Sequence, residues 1–454
     1  IDDIASVTGS SIKLILSTRH DIEEAIGNFF KSGEEDLSAI IEEEEEDVDI
    51  EIVGKFQDVD VSEIKKESTA APIVKMVDLM ISEAMKKRAS DIHIEPQEGM
   101  LKVRYRIDGE LHEAFDLPKQ NQNAILARLK IMSNMDITES RVPQDGRFRV
   151  KFGMKDIDFR VSALPTSFGN KIVLRALDKS NLSVGLDALG FLPEPLADFK
   201  TAIARPFGII LVTGPTGSGK STTLYSVLNQ MNTPEKNIVT IEDPVEYQVA
   251  GITQIAAHAD IGLSFAMGLR AILRQSPDVI MVGEIRDIET ADIAIKASLT
   301  GQLVLSTLHT NDAIGSITRL ANMGVEPFLI ASSLIMACAQ RLLRRICPNC
   351  KTETKISKEV LSEIREKYPQ AKDVNKFYIG KGCSKCGKTG YSGRLGTLET
   401  LLVTDELREM INRGEPEEKL KAYLKTQGMK TLRDNSMVKF FNGDTTLEEV
   451  LRVT

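Results

Sequence analysis

Four short apolar runs in the second half of the chain constrain the fold more than any other feature of the sequence. They alternate with predicted helices and carry no polar face, as expected of parallel strands covered by helices on both sides. The runs occupy residues 209–213, 238–241, 279–282 and 303–307. They are followed by Gly214, Glu242-Asp243, Gly283-Glu284 and Leu308-His309 respectively. Because open α/β folds bind ligands at the carboxyl edge of the sheet, we predict a wound α/β domain with its polar site at that edge.

The residues after the first run form a pattern typical of phosphate binding. Gly-Pro-Thr-Gly-Ser-Gly-Lys-Ser at 214–221 matches G-x-x-x-x-G-K-[ST] without a deviation. Glycines allow consecutive backbone N–H groups to converge on phosphate oxygens, and a helix beginning near Lys220 adds the positive end of its dipole. Lys220 is predicted to reach the β- and γ-phosphates, and Ser221 to offer its hydroxyl to Mg²⁺. A glycine-rich turn without a ligand is the alternative, which the flanking strand and helix disfavour. The predicted nucleotide-binding residues are Gly214, Pro215, Thr216, Gly217, Ser218, Gly219, Lys220, Ser221 and Thr222.

Carboxylates follow the second and third runs. Glu284 could orient or deprotonate an attacking water, or hold Mg²⁺ through a water, and the sequence does not separate these roles. The structural alternative is that Glu284 only pairs with Arg286. Either Glu242 or Glu246 could share the metal or the water with Glu284, unless this acidic turn is simply held by nearby arginines, Arg270 or Arg274.

A histidine follows the fourth run. His309 could sense the γ-phosphate of a bound nucleotide by donating a hydrogen bond to it. A lone histidine is as often structural, but three other polar strand ends at the same edge favour the functional interpretation.

Residues outside this region predict a chain of several domains. We expect residues 1–32 to be the tail of an N-terminal α/β module and residues 33–67 to be an acidic linker, or alternatively a partner-binding acidic tail, because 42–47 are six successive acids. Residues 68–180 alternate helical and strand patterns, with Asp108-Gly109 as a hairpin turn. The chain begins with Ile, which indicates a fragment. No run approaches the ~20 apolar residues of a membrane span, so we predict a cytoplasmic protein.

Four motifs together resemble those of one family. Gly-Pro-Thr-Gly-Ser-Gly-Lys-Ser, Ile-Glu-Asp-Pro-Val-Glu, Val-Gly-Glu-Ile-Arg-Asp and Ser-Thr-Leu-His-Thr-Asn-Asp look like the Walker A, aspartate box, Walker B and histidine box of the type II secretion and type IV pilus assembly ATPases. The resemblance extends through Arg-Tyr-Arg-Ile-Asp-Gly at 104–109 and Pro-Gln-Asp-Gly-Arg at 143–147 to about residue 400. It implies a RecA-like P-loop ATPase domain over 181–454, preceded by the smaller mixed α/β domain at 68–180.

The resemblance also implies arginines that reach bound nucleotide from the preceding domain. Arg160 and Arg175 match the positions of these donors, and an arginine there would neutralise charge developing on the γ-phosphate. Arg141 and Arg147 are weaker candidates. For any of them the alternative is an ordinary surface ion pair.

The cysteines fit the same family. Cys347, Cys350, Cys383 and Cys386 form two Cys-x-x-Cys pairs, which in a cytosolic chain indicate a metal site more than disulfides. Four thiolates suit a structural Zn²⁺ ion, and a thiol-disulfide switch is the alternative. We predict a zinc subdomain at 345–390, an insertion typical of assembly and secretion members and missing from retraction motors. Cys338, in the apolar stretch 334–342 that we predict to be helical, is expected to be a buried small hydrophobe.

The resemblance implies a homo-hexameric ATP-hydrolysing motor that powers type IV pilus assembly, with ATP, Mg²⁺ and Zn²⁺ as cofactors. It would work at the cytoplasmic side of the inner membrane, which it would reach only through partners such as a membrane platform protein. A type II secretion pseudopilus ATPase is the alternative. A net charge of −9 and the lack of an aromatic-rich basic groove, despite Arg341, Arg344 and Arg345, disfavour a nucleic-acid translocase. Intact Lys220 and Glu284 disfavour a non-hydrolysing scaffold, and the sequence has no Asn-Lys-x-Asp motif of a GTPase.

Overall fold

The computed structural model describes residues 18–19, 50–52, 71–178 and 185–454. The chain divides into two compact units, Ile1–Ala176 and Leu177–Thr454. The predicted N-terminal module at 1–32 and most of the predicted linker at 33–67 lie outside the described residues. Residues 50–52 of that linker form a strand, because the edge of the first sheet offers unpaired backbone groups with which they pair.

In the described residues of the first unit, a seven-stranded sheet is covered by two helices. Its strand order is β1-β5-β6-β7-β2-β3-β4, and apolar residues of both helices pack against alternate strand residues in one core. At the β3–β4 hairpin, Asp108 and Gly109 have φ angles of 50° and 97°, as the predicted tight turn requires. The elements are β1 (Ile50–Ile52), α1 (Ala71–Lys86), β2 (Ala89–Pro96), β3 (Met100–Ile107), β4 (Glu110–Pro118), α2 (Gln122–Met132), β5 (Gln144–Phe152), β6 (Lys155–Thr166) and β7 (Gly169–Asp178).

The second unit has a wound sheet at its centre. The chain forms α3 (Pro193–Ile203), β8 (Gly208–Thr213), α4 (Lys220–Met231), β9 (Ile238–Glu242), β10 (Thr253–Ala256), α5 (Phe265–Ile272), β11 (Val279–Val282), α6 (Ile288–Leu299), β12 (Leu303–Leu308), α7 (Gly315–Asn322), α8 (Pro327–Ser333), β13 (Leu334–Ile346), β14 (Lys351–Thr354), α9 (Lys358–Lys367), β15 (Phe377–Gly380), β16 (Tyr391–Leu402), α10 (Asp405–Asn412), α11 (Glu417–Thr426), α12 (Leu432–Phe441) and α13 (Leu447–Val453).

The four predicted strands are the centre of this sheet, whose order is β10-β9-β11-β12-β8-β13-β16. Neighbouring strands run parallel from β10 to β13, and β16 pairs antiparallel with β13. Every residue of β8, β9, β11 and β12 is buried, because separate apolar layers pack against the two faces of the sheet. The α/β fold class predicted from the apolar runs is confirmed, and the loops after these strands meet at one edge.

One secondary-structure prediction is wrong. Residues 334–342, predicted to be helical, belong to strand β13. Leu, Met, Ala and Gln have high intrinsic helix propensity. Here, however, β8 and β16 pair with the segment on its two sides. That pairing overrides the local propensity. Cys338 is fully buried in the apolar core, as predicted.

Among the helices of the described ranges, none has the length and apolar character needed to cross a bilayer.

Candidate active site and metal centre

The loop between β8 and α4 has a backbone that only glycine adopts readily. Gly214, Gly217 and Gly219 have φ angles of 148°, 80° and 90°, in the region that disfavours side chains. A Cβ atom on Gly214 would lie 2.6 Å from the Gln340 carbonyl oxygen, and one on Gly219 would lie 2.8 Å from Gln340 Nε2. Strand β13 therefore presses directly against the loop, and α4 begins at the end of the loop with its first N–H groups lacking intrahelical acceptors.

The polar groups of this loop are arranged to meet an anion. Ser218 Oγ is buried and has no hydrogen-bond partner in the described part of the chain. Lys220 Nζ lies across the loop and donates to the carbonyl oxygens of Gly214 at 2.8 Å and Pro215 at 3.2 Å. Burial lowers the pKa of Lys220, the Glu284 carboxylate opposes this, and the Arg341 guanidinium adds to it. An orphaned hydroxyl, a half-buried ammonium and a helix N-terminus fit the phosphates of a nucleotide.

The remaining predicted loop residues lie at the surface. Pro215, Thr216 and Gly217 form the exposed tip, and Ser221 and Thr222 are exposed in the first turn of α4. The hydroxyl of Ser221 is therefore accessible to a cation beside the loop.

Gln340 and Arg341 of β13 contact the loop region but were not predicted to belong to the site. Thr223 Oγ1 donates to Gln340 Oε1 at 2.9 Å, so the amide ties the first turn of α4 to β13. Arg341 donates to the Gln340 carbonyl oxygen at 3.0 Å and to the Asn311 carbonyl oxygen at 3.2 Å. The sequence marked Arg341 only as part of a basic patch, because the segment was predicted as a helix and not as a strand next to β8.

Glu284 and His309 meet at the carboxyl edge, as their strand-end positions predicted. His309 Nε2 lies 3.4 Å from Glu284 Oε2, and Arg286 donates to the other carboxylate oxygen. Burial by itself would raise the pKa of Glu284, but the hydrogen bond and charge of Arg286, with the charges of His309 and Lys220, hold it below its ordinary value. Glu284 is therefore ionised near neutral pH.

Glu242 occupies a different environment. It is only 4% exposed, and both oxygens are occupied: Tyr225 donates to Oε2, while Thr240 and Gln254 donate to Oε1 at 2.7 Å and 3.2 Å. The carboxylate thus ties α4, which carries Tyr225, to the end of β9. Tyr225 and Gln254 are distant in sequence, so no local signal predicted this network.

The arginines considered as holders of the acidic turn have other partners. Arg270 pairs with Glu289 at 2.7 Å, and Arg274 donates to the Arg270 carbonyl oxygen at 2.9 Å. Arg286 approaches this turn, with its guanidinium 4.0 Å from the Asp243 carboxylate.

The predicted arginine donors lie on strands of the first unit. Arg175 on β7 pairs with the buried Asp91 through Nε at 2.8 Å. Arg160 on β6 lies opposite Arg147 on β5 in the antiparallel register, and Arg141 makes an exposed pair with Glu139 at 3.1 Å.

The four predicted cysteines form one cluster. The Sγ–Sγ distances are 3.9 Å for Cys347–Cys383, 3.9 Å for Cys350–Cys386 and 3.7 Å for Cys383–Cys386, and all four sulfurs lie within 4.8 Å of one another. A tetrahedron with metal–sulfur bonds of about 2.3 Å has edges of about 3.8 Å. The backbone N–H groups of Cys383 and Gly390 donate to Cys386 Sγ at 3.2 Å and 3.3 Å, which stabilises a thiolate. The sulfurs therefore fit a tetrahedral metal ion, and none is in a disulfide.

The fold and the site define a P-loop ATPase. Residues 66–452 match the family model described as Type II/IV secretion system protein. The Type IV pilus assembly ATPase PilB of Myxococcus xanthus is 47% identical over 453 residues, 99% of this chain and 79% of the relative. Type II secretion system protein E of Klebsiella pneumoniae is 48% identical over 395 residues, 87% of this chain and 78% of the relative.

A solved structure agrees with this assignment. The pilus retraction motor PilT, solved with bound ADP, is similar with a TM-score of 0.57 at 28% identity, covering 83% of this chain and 96% of that chain. The chain therefore belongs to the type II/IV secretion system protein family, and the resemblance seen in its four motifs is confirmed.

Proposed function

We propose that the protein is the ATP-hydrolysing motor of type IV pilus assembly. ATP hydrolysis is supported by one observation above all: Glu284 and His309 form a pair at the same sheet edge as the glycine-rich loop at 214–221. The extent of the similarity to a pilus assembly ATPase, 99% of this chain against 87% for the type II secretion relative, favours the pilus over secretion.

In this proposal the residues of the edge divide the work of phosphoryl transfer. Backbone N–H groups of the loop, Ser218 and Lys220 bind the β- and γ-phosphates, and Ser221 holds Mg²⁺ with Glu284, directly or through a water. Bound Mg²⁺ would neutralise phosphate charge. Glu284, kept ionised by its neighbours, orients or deprotonates the attacking water. His309, beside it, donates to the γ-phosphate.

Further parts of the proposal concern assembly. We infer a homo-hexameric ring in which Arg160 and Arg175 contact nucleotide, and a membrane platform protein as the partner at the cytoplasmic face of the inner membrane. The buried Asp91, paired with Arg175 at 2.8 Å, supports a fixed direction for that guanidinium. In the cysteine cluster we propose Zn²⁺, because its preferred geometry is tetrahedral and its bond length to sulfur agrees with the spacing.

The first test of this function is the substitution Lys220→Ala. We expect ATP turnover to fall by at least about 10²-fold, because the ammonium that neutralises phosphate charge is lost. Turnover and binding of a fluorescent ATP analogue are measured on the full chain. Lys236→Ala, an exposed lysine of the same unit, is the matched control and should retain both. Equal turnover of the two variants would contradict the assigned site.

Pilus assembly and secretion are separated by complementation. The gene should restore pili in cells that lack their own pilus assembly ATPase and should not restore secretion in cells that lack the type II ATPase. The reverse result would move the proposal to the secretion pseudopilus. ATPase activity that rises on addition of DNA and saturates at low DNA concentration would instead favour the nucleic-acid translocase.

A further inference from the structure

The segment that carries His309 is anchored at both ends. We define the His loop as residues 309–314, between β12 and α7. At its start, the Thr310 N–H donates to Thr213 Oγ1 at 2.7 Å, and the same hydroxyl contacts the Leu308 carbonyl oxygen at 3.0 Å. Thr213 is the last residue of β8, so this end of the His loop is fixed to the strand that leads into the glycine-rich loop at 214–221.

The far end of the His loop is held by Glu399, a carboxylate of β16. Glu399 is 5% exposed, and its Oε1 accepts from the Ala313 N–H at 2.8 Å. Its Oε2 accepts from the Leu432 N–H at 3.0 Å, in the first turn of α12. One buried side chain therefore joins the His loop to the C-terminal helices through both of its oxygens.

A second contact runs in parallel with the first. Asp312 accepts from the Gly315 N–H at 2.7 Å, and its other oxygen lies 3.1 Å from Lys421 Nζ on α11. Lys421 also pairs with Glu417 at 2.6 Å, and Glu417 accepts from Thr318 on α7 at 2.6 Å. The surface pairs are exposed to solvent and contribute little, so the buried carboxylate is the main anchor.

We propose that Glu399 is a positioning residue: by fixing the Ala313 N–H, it holds the His loop so that His309 lies beside Glu284. The inference deepens the proposed function and rests on it, because His309 acts on nucleotide only in that proposal. In the described chain Glu399 has no hydrogen bond to the loop at 214–221 or to Glu284, so its hydrogen bonds reach the site through the His loop. Its charge also acts on Arg341, and the double-mutant cycle with His309 separates this effect from the positioning of the His loop.

Glutamine at this position tests the bridge with minimal change in volume. A carboxylate offers two acceptor oxygens, whereas an amide offers one acceptor and places N–H donors on the other side. In Glu399→Gln, one of the two backbone N–H groups, of Ala313 or of Leu432, must face a donor. Leaving a buried N–H unsatisfied is costly, and a misplacement near 1 Å at the reacting groups reduces rates by about 10²-fold.

The matched control is another buried carboxylate. Glu449 is 0% exposed and accepts from the Arg344 N–H at 3.0 Å and from Arg344 Nη2 at 2.8 Å. It has no contact with the His loop, so Glu449→Gln disturbs a buried network of the same kind without moving His309.

The experiment combines hydrogen exchange with a double-mutant cycle on the full chain. In Glu399→Gln we expect faster amide exchange over 309–314, a kcat lower by about ten- to a hundredfold and a KM for ATP within about threefold of the original. Glu449→Gln should leave exchange of the His loop unchanged. In a His309→Ala background, Glu399→Gln should lower kcat by less than about twofold further, because coupled residues are not additive.

Unchanged exchange of the His loop in Glu399→Gln would overturn the inference, as would an equal fall of kcat with and without His309. The proposed function fails separately: if His309→Ala alone leaves kcat unchanged, the role given to His309 is wrong, and the exchange result then decides on Glu399 by itself.

Discussion

Replacing Glu284 by glutamine is expected to reduce ATP turnover by about 10²- to 10⁴-fold while nucleotide still binds. Glutamine keeps the size of the side chain but cannot accept a proton or attract a cation. The groups that hold the carboxylate ionised, Arg286 above all, show that the charge is maintained at this position by its surroundings. Single-turnover hydrolysis and equilibrium binding of an ATP analogue measure the two effects separately.

Glu242→Gln is the informative comparison, because its carboxylate has donors on both oxygens. We expect this exchange to lower the melting temperature, since an amide would turn a donor toward Tyr225 or toward Thr240 and Gln254. Glu284→Gln should leave the melting temperature nearly unchanged. If Glu242→Gln instead stops hydrolysis in a fully folded protein, the water-activating role belongs to Glu242.

The second large effect is expected at the cysteine cluster. The double substitution Cys347→Ser and Cys386→Ser should reduce bound zinc from about one ion per chain to none, because serine hydroxyls do not replace thiolates as ligands of this ion. Structural zinc is worth about 10–16 kcal/mol in small zinc-binding peptides at pH 7. We therefore expect amides over residues 347–390 to lose most of their protection from hydrogen exchange. Bound metal is measured by mass spectrometry, and hydrogen exchange of the amides is measured on the same sample.

Cys338→Ala serves as the control for thiol loss, because Cys338 is buried in the apolar core and lies outside the cluster. This variant should keep its metal. Retention of a full equivalent of zinc by the double variant would contradict the assignment of the cluster as its site.

The centre of the fold was predictable because its signals are local. Strands β8, β9, β11 and β12 are mostly apolar, with the polar groups of the site at or just after their ends. The parallel arrangement alone brings those ends together. The glycine spacing of the loop after β8 also requires no knowledge of distant residues. Glu284 and His309 could thus be placed at one edge from strand ends alone.

The parts that were missed depend on distant pairing. β13 consists of residues that favour helices, and only its two neighbouring strands make it extended. Because β13 was predicted to be a helix, the contact of Gln340 with Gly214 and Gly219 was not predicted either. Glu399 is a single acid in a strand, and nothing near it in sequence indicates that it reaches Ala313 and Leu432.

The two acidic strand ends, at Glu242 on β9 and Glu284 on the neighbouring β11, have different consequences for genetics. Loss-of-function alleles at both positions would look alike in a screen. The Glu242 network holds two elements together, so its alleles reduce the amount of folded protein, and higher gene dosage or a lower growth temperature should suppress them. If Glu284 acts on the attacking water as proposed, its alleles should leave abundant folded protein that does not hydrolyse ATP, and an increase in gene dosage should not suppress them.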